Sequence, residues 1–404
     1  MKIGIISNLY PPFMRGGAEV IASMEAEGLK KAWQHVFVIS SKPGKVSTGP
    51  DSKPITKYLV EGEVNEIPVY RFTPINIYYY LNDFRFPAFI RAIWHIIDTF
   101  NIFSYFTVKK ILQKEKPDVV ITHNLMGLGF LLPRLLRQLK IKHVHTIHDV
   151  QLVTPSGLII KGKEDALIHK MARWFGYTAI MKNLMGSPEV VISPSGYLMD
   201  FYKKNKFFVQ SKKTVLPNPT KGVVKLLKQP SPNLEILFLG QIHKAKGILD
   251  LIENFKKLKE KQLRLHIVGV GPDMGKARAM AKDDKRIKFY GWMQHNKLVP
   301  LISRMDVLTV PSLCYENSPT VIYESLNMGL PVLAADIGGV AELIKEGVNG
   351  WIFPAGDFEI LNKKIIGLYK QREKIKLMAA QCQRSVEPFY IDNYVNRVLE
   401  LIND

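Results

Sequence analysis

The sequence predicts an α/β architecture of two doubly wound parallel sheets, and three observations predict it. Short apolar runs that end in Gly, Ser or His recur along the whole chain and alternate with longer segments of helical character. Nine such runs exceed what one open sheet ordinarily holds. Between the fifth and the sixth lies VLPNPTKGVVKLLKQPSPN, residues 215–233, whose Pro, Lys and Asn content is that of an interdomain linker.

In the first half the strands are KIGIIS (2–7), HVFVIS (35–40), DVVITH (118–123), KHVHTIH (142–148) and EVVISPS (189–195), with a last short strand over Thr214–Leu216. The second half supplies LEILFLG (234–240), RLHIVGVG (264–271), DVLTVPS (306–312) and LPVLAAD (330–336). Their apolar character is nearly continuous rather than alternating, which requires helices on both faces of each sheet. Residues 1–215 are therefore assigned to a first domain, 216–233 to the linker and 234–386 to a second domain, the two expected to face each other across a cleft. In such sheets ligands lie beyond the carboxyl ends of the strands, so the residues just after each strand are the candidates.

The composition narrows the function classes. With 404 residues, 47% hydrophobic and 23% charged, the chain reads as a soluble globular protein of two ordinary domains. The apolar run after Lys2 extends only from Ile3 to Ile6, too short for a signal peptide, so a cytosolic location is expected. Cys314 and Cys382 are too few for a disulfide framework or a thiolate metal site. The formal charge of +20 is concentrated at the front, +16 in residues 1–228 against +4 in 229–404. That field favours a polyanionic partner, such as anionic lipid headgroups or a charged saccharide; nucleic acid is disfavoured because no recognised binding module accompanies the charge.

The stretch CYENSPTVIYES, residues 314–325, carries two carboxylates eight residues apart around an expected helix start. Ser318 is a suitable N-cap and Pro319 suits the first turn, which puts Glu316 in the preceding loop and Glu324 one to two turns inside. The amides of Ser318, Thr320 and Val321 would then offer donors to a phosphate, with the flanking carboxylates holding hydroxyls of the molecule that carries it. This points to a nucleotide-sugar.

The second half resembles the retaining family-4 glycosyltransferases of the GT-B fold, which is built from two Rossmann-like domains. The likeness rests on GQIHKAKG (240–247), IVGVGP (267–272), FYGWM (289–293), the E-x7-E of Glu316 and Glu324, and NMGLPVLAADIGGVAELIKEGVNGWIFPAGD (327–357). It reaches the first half more thinly, through PPFMRGGAE (11–19), TH (122–123), SPS (193–195) and VLPN (215–218). The resemblance implies that Lys246 neutralises the donor diphosphate as it leaves, that Glu316 lies beside the donor sugar and that Glu324 holds the ribose. Gln241 stands where the family usually has an Arg, so it brings a donor without a charge, and Arg15 or Lys244 would have to compensate.

Gly16 and Gly17 follow the first strand and are expected to bring their amides to a phosphate or sugar, with Arg15 beside them as an anion contact. His123 ends its strand and is expected to point into the cleft as a catalytic group; His148 with Asp149, at the end of the next strand, forms the second candidate pair. His143 and His145, within that strand, are expected to serve packing. The chain has no D-x-D after a strand, so neither a metal nor a cofactor beyond the donor itself is expected. In this fold the closing segment Glu387–Asp404 would cross back onto the first domain.

Residues 74–110 form the most aromatic part of the chain, yet Arg91, His95, Asp98 and Asn101 interrupt any transmembrane run. The segment is expected either to pack within the first domain or to lie at an anionic membrane surface. The reading as a whole is a retaining, metal-independent glycosyltransferase. It would move a sugar from a nucleoside diphosphate sugar to a saccharide or lipid-linked acceptor, in cell-surface polysaccharide or glycolipid synthesis at the inner face of the membrane. A nucleotide-sugar epimerase, or a carbohydrate- or lipid-binding protein of the same fold without turnover, are the alternatives.

Overall fold

The computed structural model describes residues 1–44, 59–164, 176–224, 226, 229 and 231–404. Among them, fourteen strands form two sheets. The first contains β1 (Lys2–Ser7), β2 (His35–Ser41), β3 (Leu59–Val64), β4 (Ile67–Phe72), β5 (Val119–Thr122), β6 (Lys142–Thr146), β7 (Val190–Ser193) and β8 (Lys212–Val215), in the order β3-β4-β2-β1-β5-β6-β7-β8. The second contains β9 (Leu234–Leu239), β10 (Leu263–Val268), β11 (Ile287–Gly291), β12 (Val307–Val310), β13 (Val332–Asp336) and β14 (Gly350–Pro354), in the order β11-β10-β9-β12-β13-β14. Every pairing is parallel except the β3–β4 hairpin. The order reverses between β1 and β5 in the first sheet and between β9 and β12 in the second, and such a switch point is where an open α/β sheet leaves a crevice.

The helices in chain order are α1 (Gly17–Lys31), α2 (Ala88–Thr99), α3 (Ile102–Glu115), α4 (Leu132–Leu139), α5 (Tyr177–Met185), α6 (Gly196–Lys204), α7 (Ile248–Phe255), α8 (Met274–Ala281), α9 (His295–Ile302), α10 (Thr320–Asn327), α11 (Phe358–Lys370), α12 (Arg372–Lys376), α13 (Ala379–Val386) and α14 (Ile391–Asn403). The nine apolar runs read from the sequence are all strands. The central ones, β1, β5, β7, β9 and β12, are buried almost throughout, as parallel strands covered on both faces must be.

The described residues group into two units, one of 1–157, 176–219 and 391–404, the other of 158–164 and 220–390. Residues 158–164 thus join the second unit, although they lie within the stretch assigned above to the first domain. Backbone pairing accounts for it: Lys161 N donates to Leu313 O at 2.8 Å and Tyr315 N to Ile159 O at 3.0 Å, while Lys161 Nζ reaches Ala355 O at 2.7 Å. Of the expected linker, residues 216–219 stay with the first unit, Thr220 bridges to Tyr390, and residues 225, 227, 228 and 230 lie outside the described set.

The first unit's core mixes distant parts of the chain. Tyr394, Val395, Val398, Leu401 and Ile402 of α14 are buried with Ile3, Ile5, Leu29, Val38, Val144 and Ile192. Gly28 permits the close approach of α1 to α14, since a Cβ there would stand 2.6 Å from Val395. The second unit has its own core, in which Ile236, Ile267, Leu308 and Leu333 of the sheet meet Phe255, Ile322, Leu326 and Ile365 of the helices.

Candidate functional site

In the second unit the site is built on the two strands that flank the switch point. After β9 the chain passes exposed Gln241 and makes a tight turn over Lys244–Lys246, pinned by Lys244 N donating to Asp273 at 2.6 Å. Gly247 then takes φ +70°, and a Cβ on it would stand 1.8 Å from Pro311 O, so only glycine lets this turn lie against the loop after β12. The two loops bring Lys246 Nζ to 2.6 Å from Glu316 Oε1.

Glu316 is held from three sides. Ser312 Oγ donates to the same carboxylate oxygen at 2.7 Å, and Cys314 Sγ lies 3.9 Å away. Its backbone oxygen accepts from Gly339 N at 2.7 Å, which gives the GG pair of the sequence motif a local purpose. The Glu316 side chain retains 12% exposure and Lys246 30%, so the pair is sheltered with its cationic end still open to solvent. Burial alone would lower the Lys246 ammonium, but the charge of Glu316 and the hydrogen bond to it outweigh burial and raise it above the ordinary lysine range.

The helix after Glu316 begins one residue later than the sequence suggests. Pro319, with φ −70° and ψ 120°, occupies the N-cap position, and α10 starts at Thr320. Ser318 is therefore not the cap: the extended ψ of Pro319 takes that residue out of the helix, and the Ser318 hydroxyl meets Tyr323 Oη at 2.7 Å. The amides of Thr320 and Val321 open the helix, where no intrahelical partner exists for them.

Glu324 follows within the first turns of α10 and is partly buried. Among the described residues its carboxylate has no hydrogen bond or ion pair, and burial pushes its pKa up to about 7. A carboxylate kept half out of water without a partner is a vacant acceptor for hydroxyl donors.

The first unit carries a different constellation at its own switch point. His123, after β5, is fully buried rather than directed outward. Its Nε2 lies 2.8 Å from Glu25 of α1, itself fully buried, and its Nδ1 lies 2.9 Å from His148 Nε2. The approach of Nε2 to Glu25 lacks hydrogen-bond geometry, and Nε2 and both Glu25 oxygens are buried without a hydrogen-bond partner, so the contact with His148 is the hydrogen bond that the His123 ring makes. His148 is the partly exposed member of this stacked histidine pair, and His123 lies behind it. Burial, followed by the neighbouring His123 and His145, holds His148 well below the ordinary histidine range and so neutral.

Asp149, next to it, accepts from Gln151 N at 2.8 Å and is pushed up to about 7 by burial. His143 and His145 both converge on Thr122 Oγ1, at 2.7 and 2.8 Å, inside the sheet, and are structural. The glycines after β1 serve differently from the expectation. Gly16 N donates to Glu19 Oε2 at 2.8 Å, closing a capping box at the start of α1, so that helix end already holds its own carboxylate. Gly17 is the first residue of α1, and exposed Arg15 lies over the Tyr80 ring at 5.1 Å.

Glu25 is the functional candidate that sequence reasoning missed. Its signal was available, because it falls on the stripe Ile21–Ala22–Leu29 that α1 turns to the core, where an unpaired carboxylate does not belong.

A family model described as Glycosyltransferase Family 4 matches residues 15–221, and one described as Glycosyl transferases group 1 matches residues 233–371. An uncharacterised 42.6 kDa protein of the cps region of Klebsiella pneumoniae is 24% identical over 347 residues, 85% of this chain and 87% of that protein. The amylovoran biosynthesis glycosyltransferase AmsK of Erwinia amylovora is 24% identical over 191 residues, covering 45% of this chain and 47% of its own. In fold, the chain is similar over 100% of its length to sucrose-phosphate synthase from Thermosynechococcus elongatus (98% of that chain, TM-score 0.76, 18% identity). It is likewise similar to Anabaena HepE in complex with UDP-glucose (100% of this chain, 99% of that one, TM-score 0.69, 16% identity). The first of the two family models spans more than half of the chain and the second takes up after it, so the protein, with its two parallel-sheet domains of the GT-B fold, belongs to glycosyltransferase family 4.

Proposed function

We propose that the protein transfers a sugar, with retention of anomeric configuration and without a metal, from a nucleoside diphosphate sugar to a saccharide or lipid-linked acceptor. The observation that carries this reading is the Lys246–Glu316 pair beside the open start of α10, with the vacant Glu324 carboxylate within the same helix. An arriving diphosphate would exchange for Glu316 as the partner of Lys246 and take the amides of Thr320 and Val321, so that the charge developing on the leaving group meets donors already in place. Glu316, released, turns to the hydroxyls of the donor sugar. Glu324 accepts from the ribose diol. Departure and attack then take place on one face of the sugar, with no protein nucleophile.

The setting proposed is the synthesis of a cell-surface polysaccharide or glycolipid, with the acceptor presented at the inner, anionic face of a membrane. The amylovoran role of one relative and the cps-region origin of another support it. UDP is the first nucleotide to test, because the similar fold of HepE was solved with UDP-glucose.

Calorimetric titration with UDP, GDP and ADP tests the donor site. One nucleotide is expected to bind selectively, and Lys246→Ala and Glu324→Ala are each expected to weaken it by about tenfold or more, the loss of one charge-assisted contact. Because the Glu324 carboxylate protonates near pH 7, affinity should be higher at pH 8 than at pH 6 in the wild type and should lose that dependence in Glu324→Gln. If no nucleotide binds, the donor assignment fails, and the protein is a binding module that has kept the fold.

A further inference from the structure

Helix α2 is turned the wrong way for a soluble protein. Its bulky apolar residues Phe89, Ile93, Ile96 and Ile97, with Phe100 just beyond its end, recur at intervals that place them within about 100° of its circumference. That stripe faces outward: these five side chains are between 37% and 65% exposed. The opposite face is the buried one, and it is anchored by polar groups. Trp94 Nε1 donates to Tyr78 O at 2.8 Å and its ring stacks on Tyr78, Asn76 Nδ2 donates to Trp94 O at 3.2 Å, and buried Asp98 accepts from Gly127 N at 2.9 Å. These bonds fix the rotation of the helix, so the stripe cannot roll inward.

The start of α3 continues the surface. Ile102 and Phe106 are exposed on one face, and the next turn of that face carries Lys109 and Lys110. Exposed Arg85 precedes α2, while Arg91 on its flank is already paired with Asp83 at 3.1 Å. From residue 84 to residue 114 the sole acidic residue is Asp98, which is buried.

We propose that this outward face of α2 and α3 is the surface by which the protein docks on the interface of an anionic lipid bilayer. The proposal rests on the reading above, in which the acceptor lies at an anionic membrane face, and it names the elements that make the contact. An apolar stripe with basic residues along its margin matches the layering of a bilayer, where acyl chains receive the stripe and phosphates meet the cations. A second copy of the chain fits less well, since pairing this face with itself would bring Arg85, Lys109 and Lys110 against their own counterparts. The contact is peripheral: α2 is 12 residues long, roughly 18 Å, and among the described residues no helix is long and apolar enough to cross a membrane.

The test is co-sedimentation of the full chain with large vesicles of phosphatidylcholine alone or with about a third phosphatidylglycerol, alongside the double variant Phe89→Glu/Ile96→Glu and the double variant Arg85→Gln/Lys110→Gln. The expected result is binding to the anionic vesicles that weakens with added salt, falls at least tenfold in the first variant and severalfold in the second. All four positions are exposed or at the margin, so circular dichroism and UDP affinity should match the wild type. Equal binding to neutral vesicles, or indifference to both variants, overturns the proposal. So does a concentration-dependent dimer in light scattering that the Glu variant dissolves while vesicles fail to bind, which would assign the face to a second copy. Intact UDP titration with absent vesicle binding defeats only the docking surface; absent UDP binding defeats the transferase reading whatever the vesicles show.

Discussion

At the level of single residues, the two units solve opposite problems. Lys246 and Glu316 are a sheltered pair in which each partner retains some exposure, and Glu316 lies four residues before the start of α10. Glu25 and His123 are a pair that nothing can reach, both at 0%. Truncating a buried side chain leaves a cavity, so Glu25→Ala should destabilise the protein by about 2 kcal/mol or more, read from urea unfolding. Glu25→Gln keeps the volume and a hydrogen-bonding oxygen and should lose less stability. If Glu25 positions His148 through the His123 ring, the Gln variant should also shift the pH profile of kcat without changing UDP affinity; an unchanged profile would make Glu25 purely structural.

Among the elements, the contents of the sheets were legible where strands are buried on both faces and illegible where they are not. The β3–β4 hairpin escaped because its turn residues Asn65 and Glu66 both take positive φ, 50° and 58°, without the Asn-Gly signature that announces such a turn. β8, at a sheet edge, was anticipated only over Thr214–Leu216, because it opens on the polar Lys212 and Lys213; β14 escaped because its short apolar run Trp351–Phe353 is bounded by Gly350 and Pro354 at another edge. In the site, the motif spacing revealed Glu316, Glu324 and Lys246, whereas the His123–Glu25 contact joins elements that only the fold brings together. The start of α10 was misplaced because Pro319 takes an extended ψ and occupies the N-cap position expected of Ser318.

Helix α2 offers an energetic test of its own orientation. Burial pushes Asp98 up to about 8, against an unfolded value near 4. The folded chain therefore binds this proton more tightly than the unfolded chain between those limits, and Asp98 removes stability as pH rises through that window. Asp98→Asn keeps an oxygen for Gly127 N and cannot ionise. Its stability relative to the wild type should grow by about 1 kcal/mol per pH unit from roughly pH 5 to pH 8 and then level off, measured by paired denaturation curves. A difference that does not change with pH would show that the carboxylate is solvated and that α2 is not anchored as described.

For the whole molecule, α14 decides what counts as a domain. It follows the second unit in sequence but belongs to the first, where five of its side chains enter the core and Lys142 Nζ reaches Ile402 O. Burying five large apolar side chains contributes on the order of 10 kcal/mol before entropy is subtracted, comparable to the net stability of a domain. A chain ending at Tyr390 should accordingly fail to give a cooperative unfolding transition in its first unit, while the second unit keeps its own. Limited proteolysis followed by mass spectrometry would check this, and a truncated chain that protects both units equally would refute it.

The placement of α14 also bears on how the protein is made. A ribosome releases the first strand early and the helix that completes its core only after the entire second unit has emerged. During that interval the nascent first unit presents an unfilled groove along α1, beside the gap left at Gly28, while the later unit folds on schedule. The front of the polypeptide is thus the last part to mature, and chaperone dependence during synthesis should scale with the time taken to translate residues 220–390.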